Sequence, residues 1–558
     1  MLRKTTLCLT LSSLIVLFLI PIKSLARIYL FDKKLEITGK LEEKVAIKYN
    51  MKSWEKGRSH HGHLANGGGM DTLGMLKTHF HIDGLLHLYQ GADGTVLDVY
   101  TLWEWFYDFA PDISGDMHRG MATRDRNRYQ TPHGVDMCRE LYANFVSGPW
   151  TLRAGKQMIV WGETSLQRTA DVVNPLDISN HMMGMDDWED FRKGLWMFRG
   201  FYETDFKNNL TFEIIWIPHD IQVMSMPVEG GLYSTSYSGG FFSEMMRRWK
   251  YDEPKARGLH DSQGGIRIRG YNFDWDWTVL WYNGFDATPI VDDWGQRGSG
   301  SYGANTPDTF TATKGSGLKG FNLYAASYNS RRLYGTFDLP AFPTGRQFRY
   351  FRTDNFAATA TKYFHHFKKF GLDIPIESVV RMEFAYKEGV HFNTLKKAQD
   401  APASNWAVTG RTQRDILAYA IEIDHDWMPE WICKFNGRRS VNTTLGFFQD
   451  WIFNHDHTLS VNGLERGYGD KNSTSFSLSV NTDWMGSEIY TMASYGYNTN
   501  GNGFVWALIQ YGPGDHWRFL VLPRISWSNV GPKNHKVSRY TERSDTTNYI
   551  TFKIIYQF

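Results

Sequence analysis

The stretch from Leu152 to Asp177, L-R-A-G-K-Q-M-I-V-W-G-E-T-S-L-Q-R-T-A-D-V-V-N-P-L-D, concentrates the side chains best suited to act on a solute. Side chains alternate across an extended strand with period two, so Arg153 and Gln157 share a face, and Gly155 between them leaves room for another chain to approach. Trp161-Gly162-Glu163 ends the strand. Asn174-Pro175-Leu176-Asp177 is turn chemistry, in which Asn and Asp bond their own backbone. A loop anchored in this way brings Glu163, Asp171 and Asp177 toward Arg153, and opposite charges facing each other across a passage select ions and solutes. The same groups can instead pin a folded-in segment to a wall, the usual work of a buried polar network. On either reading Arg153, Gln157, Glu163, Asp171, Asn174 and Asp177 are expected to face inward.

Other chemistries find less support. His79 and His81 share a face at i, i+2, and His60, His61 and His63 lie upstream, but no cysteine or second tight cluster completes a ligand set. Solvated or inward-facing histidines are expected, with no metal and no cofactor. Gly155-Lys156 lacks the glycine before it and the Ser or Thr after it that a phosphate loop requires. A Ser-His-Asp triad has no G-x-S-x-G to support it, His455-Asp456-His457 reads as a turn, and no C-x-x-C-H would attach haem. With 61 Lys and Arg against 59 Asp and Glu, the net charge of +2 argues against nucleic acid as a partner. No enzyme is expected.

The elements that must hold these side chains are strands. The last stretch, Asn548 to Phe558, reads N-Y-I-T-F-K-I-I-Y-Q-F, and Ile550, Phe552, Ile554 and Tyr556 form one greasy face below the terminal Phe558. A chain ending so resembles the closing strand of a bacterial outer-membrane β-barrel, the product of the barrel-assembly machinery. The chain has 21 Trp, 29 Tyr and 36 Phe in 558 residues, yet its mean hydropathy is −0.43. Such a chain fits a wall with lipid on one side and water on the other. Arg3 and Lys4, the apolar run Leu7 to Ile20 and the small residues of Ser24-Leu25-Ala26 read as a signal peptide cleaved after Ala26. No later stretch is long and apolar enough for a membrane helix. Residues 27–558 are therefore expected to form a single closed barrel, since lipid offers unpaired backbone groups no partner.

Two-faced segments recur along the chain. Leu35 to Tyr49 reads as the first strand. Phe80, Ile82, Leu86 and Leu88 oppose His79, His81, Asp83 and His87. A hairpin turns at Ser147-Gly148-Pro149. Phe273, Trp275, Trp277, Val279 and Trp281 form an aromatic face, and Val380 to Tyr386 opposes Arg381 and Glu383. Asp186 to Phe201 begins with acids and offers a short helix weakened by Gly194 and Gly200. Arg119 to His133, Met224 to Gln263, Thr288 to Gly320 and Lys387 to Gln413 read as loops, the second a candidate to fold inward. The count suits an all-β transmembrane antiparallel barrel of about 16–18 strands, wide enough for an aqueous lumen. Cys138 and Cys433 are either one disulfide or two separate thiols.

The elements Arg153-x-Gly155-Lys156-Gln157, Trp161-Gly162-Glu163 and Asn174-Pro175-x-Asp177 together resemble those of a proteobacterial outer-membrane family known as domain of unknown function 1302. The likeness is specific over about Leu141 to Asp220. It implies a barrel at the cell surface and no particular reaction. The expectation is a porin-like channel in the cell outer membrane that passes or exports small solutes without covalent chemistry. A transporter for hydrophobic compounds, with Trp103, Trp105 and Trp188 along a lateral route, is the alternative. Another is an insulating sheath around partner cytochromes in an electron-transfer complex. Expected partners are outer-membrane lipid, the solute and a periplasmic or lipoprotein partner.

Overall fold

The structure is a computed structural model, and it describes residues 27–48, 73–113, 123–132, 134–165, 168–179, 181, 186, 188–204, 209–225, 232, 250–252, 258–286, 290–292, 347–369, 372–395, 408–437, 440–456, 459–460, 471–499, 502–528 and 548–558. The predicted signal peptide, His60, His61 and His63 lie outside these residues, as does most of each of the expected loops Met224 to Gln263 and Thr288 to Gly320. Eighteen antiparallel strands close into one barrel. They are β1 Leu35–Lys48, β2 Leu73–Gln90, β3 Val96–Asp108, β4 Cys138–Ser147, β5 Trp150–Gln157 and β6 Leu195–Glu203. Then come β7 Thr211–Ile217, β8 Gln263–Asn272, β9 Trp275–Phe285, β10 Arg352–Lys369, β11 Leu372–Leu395 and β12 Val408–Trp427. The last six are β13 Val441–Ile452, β14 Asn472–Trp484, β15 Ile489–Asn498, β16 Asn502–Tyr511, β17 Trp517–Ser528 and β18 Tyr549–Gln557. Among the described residues there are two helices of note, α1 Thr123–Gln130 and the single turn α2 Trp188–Phe191.

Each strand pairs with the next in sequence, and β18 returns to β1 in register from Lys40↔Gln557 to Lys48↔Tyr549. That last ladder removes the free sheet edges, which is what lets a sheet sit in hydrocarbon. The terminal residue takes part. Phe558 and Gly39 exchange backbone hydrogen bonds of 2.9 Å, and a Cβ on Gly39 would stand 2.5 Å from the Phe558 ring. Few-residue turns, such as Gly148-Pro149 and the Phe273-Asp274 pair at positive φ (54° and 63°), gather at the end that carries both chain termini. The long connections gather at the other, as in barrels with short periplasmic turns and long surface loops.

Alternation sets the two faces. Ile214, 58 % exposed, looks outward at the middle of β7 while Glu213 beside it is buried within. Phe552 and Ile554 of β18 look outward and Lys553 inward. Several expectations change. Phe273 belongs to the turn, 91 % exposed, because its positive φ ends β8 before the aromatic face of β9 begins. Trp103 and Trp105 look outward, since Glu104 between them faces the lumen. The side chain of Trp188 lies outside the described residues. The expected loop Lys387 to Gln413 is largely strand: a bulge at Lys387/Val390, with Gly389 at φ 72°, shifts the phase of β11 and hides the alternation. Beyond it, Val390 and Phe392 pack with Ile452 and Leu459. Within Arg119 to His133, residues Thr123–Gln130 are helical, with Tyr129 and Gln130 buried in a sequence with no apolar repeat. No disulfide joins Cys138 to Cys433.

Candidate functional site

The long connection from β5 to β6, residues 158–194, enters the barrel and crosses it. Its start stays against the near wall. Asn174 Oδ1 accepts from Ile159 N (2.8 Å) and its Nδ2 donates to Lys193 O (2.6 Å), so the two ends of the segment are tied together at the end of β5. Gln157 is buried and donates from Nε2 to Met197 O on β6 (3.3 Å). Ile159, Trp161, Ala170 and Val173 then pack on the inward residues Leu195, Met197, Ile215, Ile217, Leu280 and Tyr282 of β6, β7 and β9. Trp161 Nε1 donates to Glu213 (3.3 Å), which also pairs with Arg199 (2.6 Å) and Arg267 (2.7 Å).

The far anchor is a carboxylate on β11. Glu383 Oε1 accepts from the backbone N of Glu163 and of Thr164 (2.6 Å each) and from Thr164 Oγ1 (2.8 Å). Its Oε2 accepts from Ala170 N (2.9 Å) and Thr169 Oγ1 (3.1 Å). Next to it on β12, Glu422 Oε2 accepts from Ser165 N (2.9 Å) and Oγ (2.5 Å), and Glu422 is itself held by Arg381 (3.1 Å). Charge-assisted bonds of this kind are about twice as strong as neutral ones.

The later part of the segment reaches the other side of the lumen. Asp186 accepts from Lys44 of β1 (2.8 Å) and Lys553 of β18 (3.4 Å), and Arg139 of β4 donates to the carbonyls of Glu189 (2.8 Å) and Asp190 (2.9 Å) around α2. Burial opposes the charge on Asp186, but the two ammoniums overcome it and hold its carboxyl well below the usual carboxylate range. Between this part and the wall lies a cavity of about 530 Å³ near the short-turn end, lined by bases such as Arg27, Lys40 and Arg192 and acids such as Asp83, Glu140 and Glu189.

The residues singled out from sequence are thus distributed along this path. Asp171 pairs with Arg192 and accepts from Trp161 N (3.2 Å). Asp177 accepts from Ser179 N (2.9 Å). Glu163 contributes its backbone N to Glu383 and its side chain is exposed. Arg153 stays on the wall, donating to Asn144 Oδ1 (2.9 Å) and facing the rings of Tyr142 and Phe201. Gly155 has φ 138°, and a Cβ there would stand 2.2 Å from Leu141 O, so the close approach is to β4. Sequence reasoning missed Glu383, Glu422, Glu213, Lys44 and Asp186 as anchors. The signal present was an acid or base at an inward strand position, or for Asp186 on the inserted segment; its partner lies up to 367 residues away.

Comparison with solved structures finds barrels of low identity. Acinetobacter baumannii OccAB3 matches at 9 % identity over 94 % of this chain and 99 % of its own, with a TM-score of 0.45. A BenF-like porin from Pseudomonas fluorescens Pf-5 matches at 7 %, 94 %, 98 % and 0.45, and Salmonella typhi OmpF in complex with daunomycin at 9 %, 95 %, 100 % and 0.38. The fold itself rests on the strand pairings above. No curated protein matches the chain. The profile described as "Protein of unknown function (DUF1302)" matches residues 68–517, and the chain belongs to that family.

Proposed function

We propose that the barrel is a porin-like channel of the outer membrane, passing small polar solutes without covalent chemistry, with residues 158–194 as its constriction. The observation that carries this reading is the cavity of about 530 Å³ between that segment and the wall, lined by charges of both signs. Charged linings select solutes by field and by size. Glu163, Asp171 and Asp177 belong to the constriction on this reading, Arg153 stays on the wall at β5, and Gln157 and Asn174 hold its base. Lipid surrounds the outward face, and the barrel-assembly machinery inserts the chain after cleavage near Ala26. Liposomes containing the protein should swell in isotonic solutions of small sugars and amino acids. Swelling no faster than in empty liposomes would end the proposal.

One observation favours a second reading, passage of hydrophobic compounds. Leu522 and Tyr549, inward on β17 and β18, form an apolar patch with Ala46, Met75 and Leu232, flanked by Leu508 and Leu520. Polar replacement of Leu520 and Leu522 should then change cellular sensitivity to apolar compounds and leave sugar-driven swelling alone.

A further inference from the structure

Three adjacent strands place a second group of side chains on one patch of the inner wall. Glu42 of β1 is the register partner of His79 on β2, and His81, two residues along the same face, is the register partner of Glu104 on β3. All four side chains are buried. His79 Nε2 lies 2.7 Å from Glu104 Oε1, which fixes that nitrogen as the donor and leaves the Nδ1 lone pair directed away from Glu104. That lone pair faces His81 Nε2 at 3.2 Å, and Glu42 Oε2 stands 4.0 Å from the same Nδ1. One ligand atom from each of Glu42, His79 and His81 lies within 4.8 Å of the others. Asp190 Oδ1, on α2 of the inserted segment, is 3.9 Å from His81 Nε2.

We propose that Glu42, His79 and His81 bind a divalent transition-metal ion of zinc's class, with Asp190 closing the fourth position. Two nitrogens each about 2.1 Å from a tetrahedral ion stand about 3.4 Å apart, close to the spacing found. Glu42 Oε2 needs only a small shift toward His79 Nδ1 (4.0 Å), whereas Asp190 Oδ1, clustered with His81 and Glu104 rather than with Glu42 and His79, has to swing further in to take the fourth position. Glu42 Oε1 already pairs with Lys44 (3.0 Å) and Lys553 (3.3 Å), so coordination through Oε2 leaves both ion pairs in place. Glu104 stands where an outer carboxylate orients a ligating imidazole, an arrangement that raises the basicity of the other ring nitrogen. Imidazole and carboxylate together suit zinc and its neighbours rather than calcium or magnesium. The ion has a path, because His81, Glu104 and Asp190 all line the cavity. Bound there, it joins α2 to β1 and β2 and clamps the inserted segment to the wall, whatever solute the barrel passes.

The test uses full-length protein folded in detergent, stripped with EDTA and dialysed against micromolar zinc, with bound metal counted by mass spectrometry. One zinc per chain is expected, and His79→Gln or His81→Gln should weaken binding at least tenfold. Glu104→Gln, acting through His79, should weaken it by about 10–100-fold. His260→Gln, at an exposed histidine away from the patch, should change nothing. Folding of each variant is read from the heat-dependent shift on electrophoresis. If a histidine variant does not fold, cobalt(II) added to the wild type must give the intense visible absorption of a tetrahedral site. Absence of bound zinc in the wild type, zinc retained by folded histidine variants, or a weak octahedral cobalt spectrum would each overturn the proposal.

Discussion

Glu383 shows how much one side chain can hold. Its two oxygens collect donors from Glu163, Thr164, Thr169 and Ala170, all on a segment that leaves the wall at the end of β5, six strands away. Glu383→Ala leaves those donors without an acceptor, at a cost of about 1–3 kcal/mol for each one that stays buried. The segment should let go before the barrel does, because no β-ladder depends on Glu383. The expected result is faster proteolysis within residues 158–194 at an unchanged heat-dependent shift. Asp186 allows a test by pH. Its folded-state pKa is depressed, so the stability it contributes is present above the usual carboxylate range and is lost as pH falls through the lower folded value. Asp186→Asn should therefore lower the urea midpoint at pH 7 and differ progressively less from the wild type below about pH 4. Legibility at this scale was uneven. Asp177 makes the local turn bond that its sequence offers, to Ser179 N, whereas Asn174 and Gln157 bond backbone 15–40 residues away. Glu383 and Asp186 could not be matched to their partners, because the pairing is fixed by which strands face each other across the lumen.

At the scale of elements, period-two alternation carried most of the information. It placed the β4–β5 hairpin, the aromatic face of β9 and the closing strand, because one side of each meets hydrocarbon and the other meets polar groups. It failed where a backbone irregularity resets the phase, as at Gly389 in β11, and where tertiary packing and hydrogen bonds support structure, as for α1 through Tyr129 and Gln130. The assignment of faces predicts an asymmetry. Ile214→Lys places a charge at the middle of the outward face of β7 and should cost about 2–4 kcal/mol in folding into lipid vesicles. Ser477→Lys, on β14 between the outward Phe476 and Leu478, points into the lumen and should cost less than about 0.5 kcal/mol. Equal costs would mean the faces are misassigned.

The whole molecule follows from closure. A ring-rich chain of negative mean hydropathy satisfies its backbone in lipid by pairing the last strand with the first, as β18 does with β1. Eighteen strands enclose more volume than inward side chains alone can fill, which leaves room for residues 158–194 and the cavity beside them. The sequence showed the closure through Phe558 and Tyr556, and it marked the inserted segment by its unusual residues. It did not show how far that segment travels. Conductance across a planar bilayer tests the central claim most directly. Purified, folded protein should open in uniform steps that grow when Glu383→Ala loosens the constriction. A barrel that folds, shifts on heating and yet stays electrically silent in both forms would contradict it.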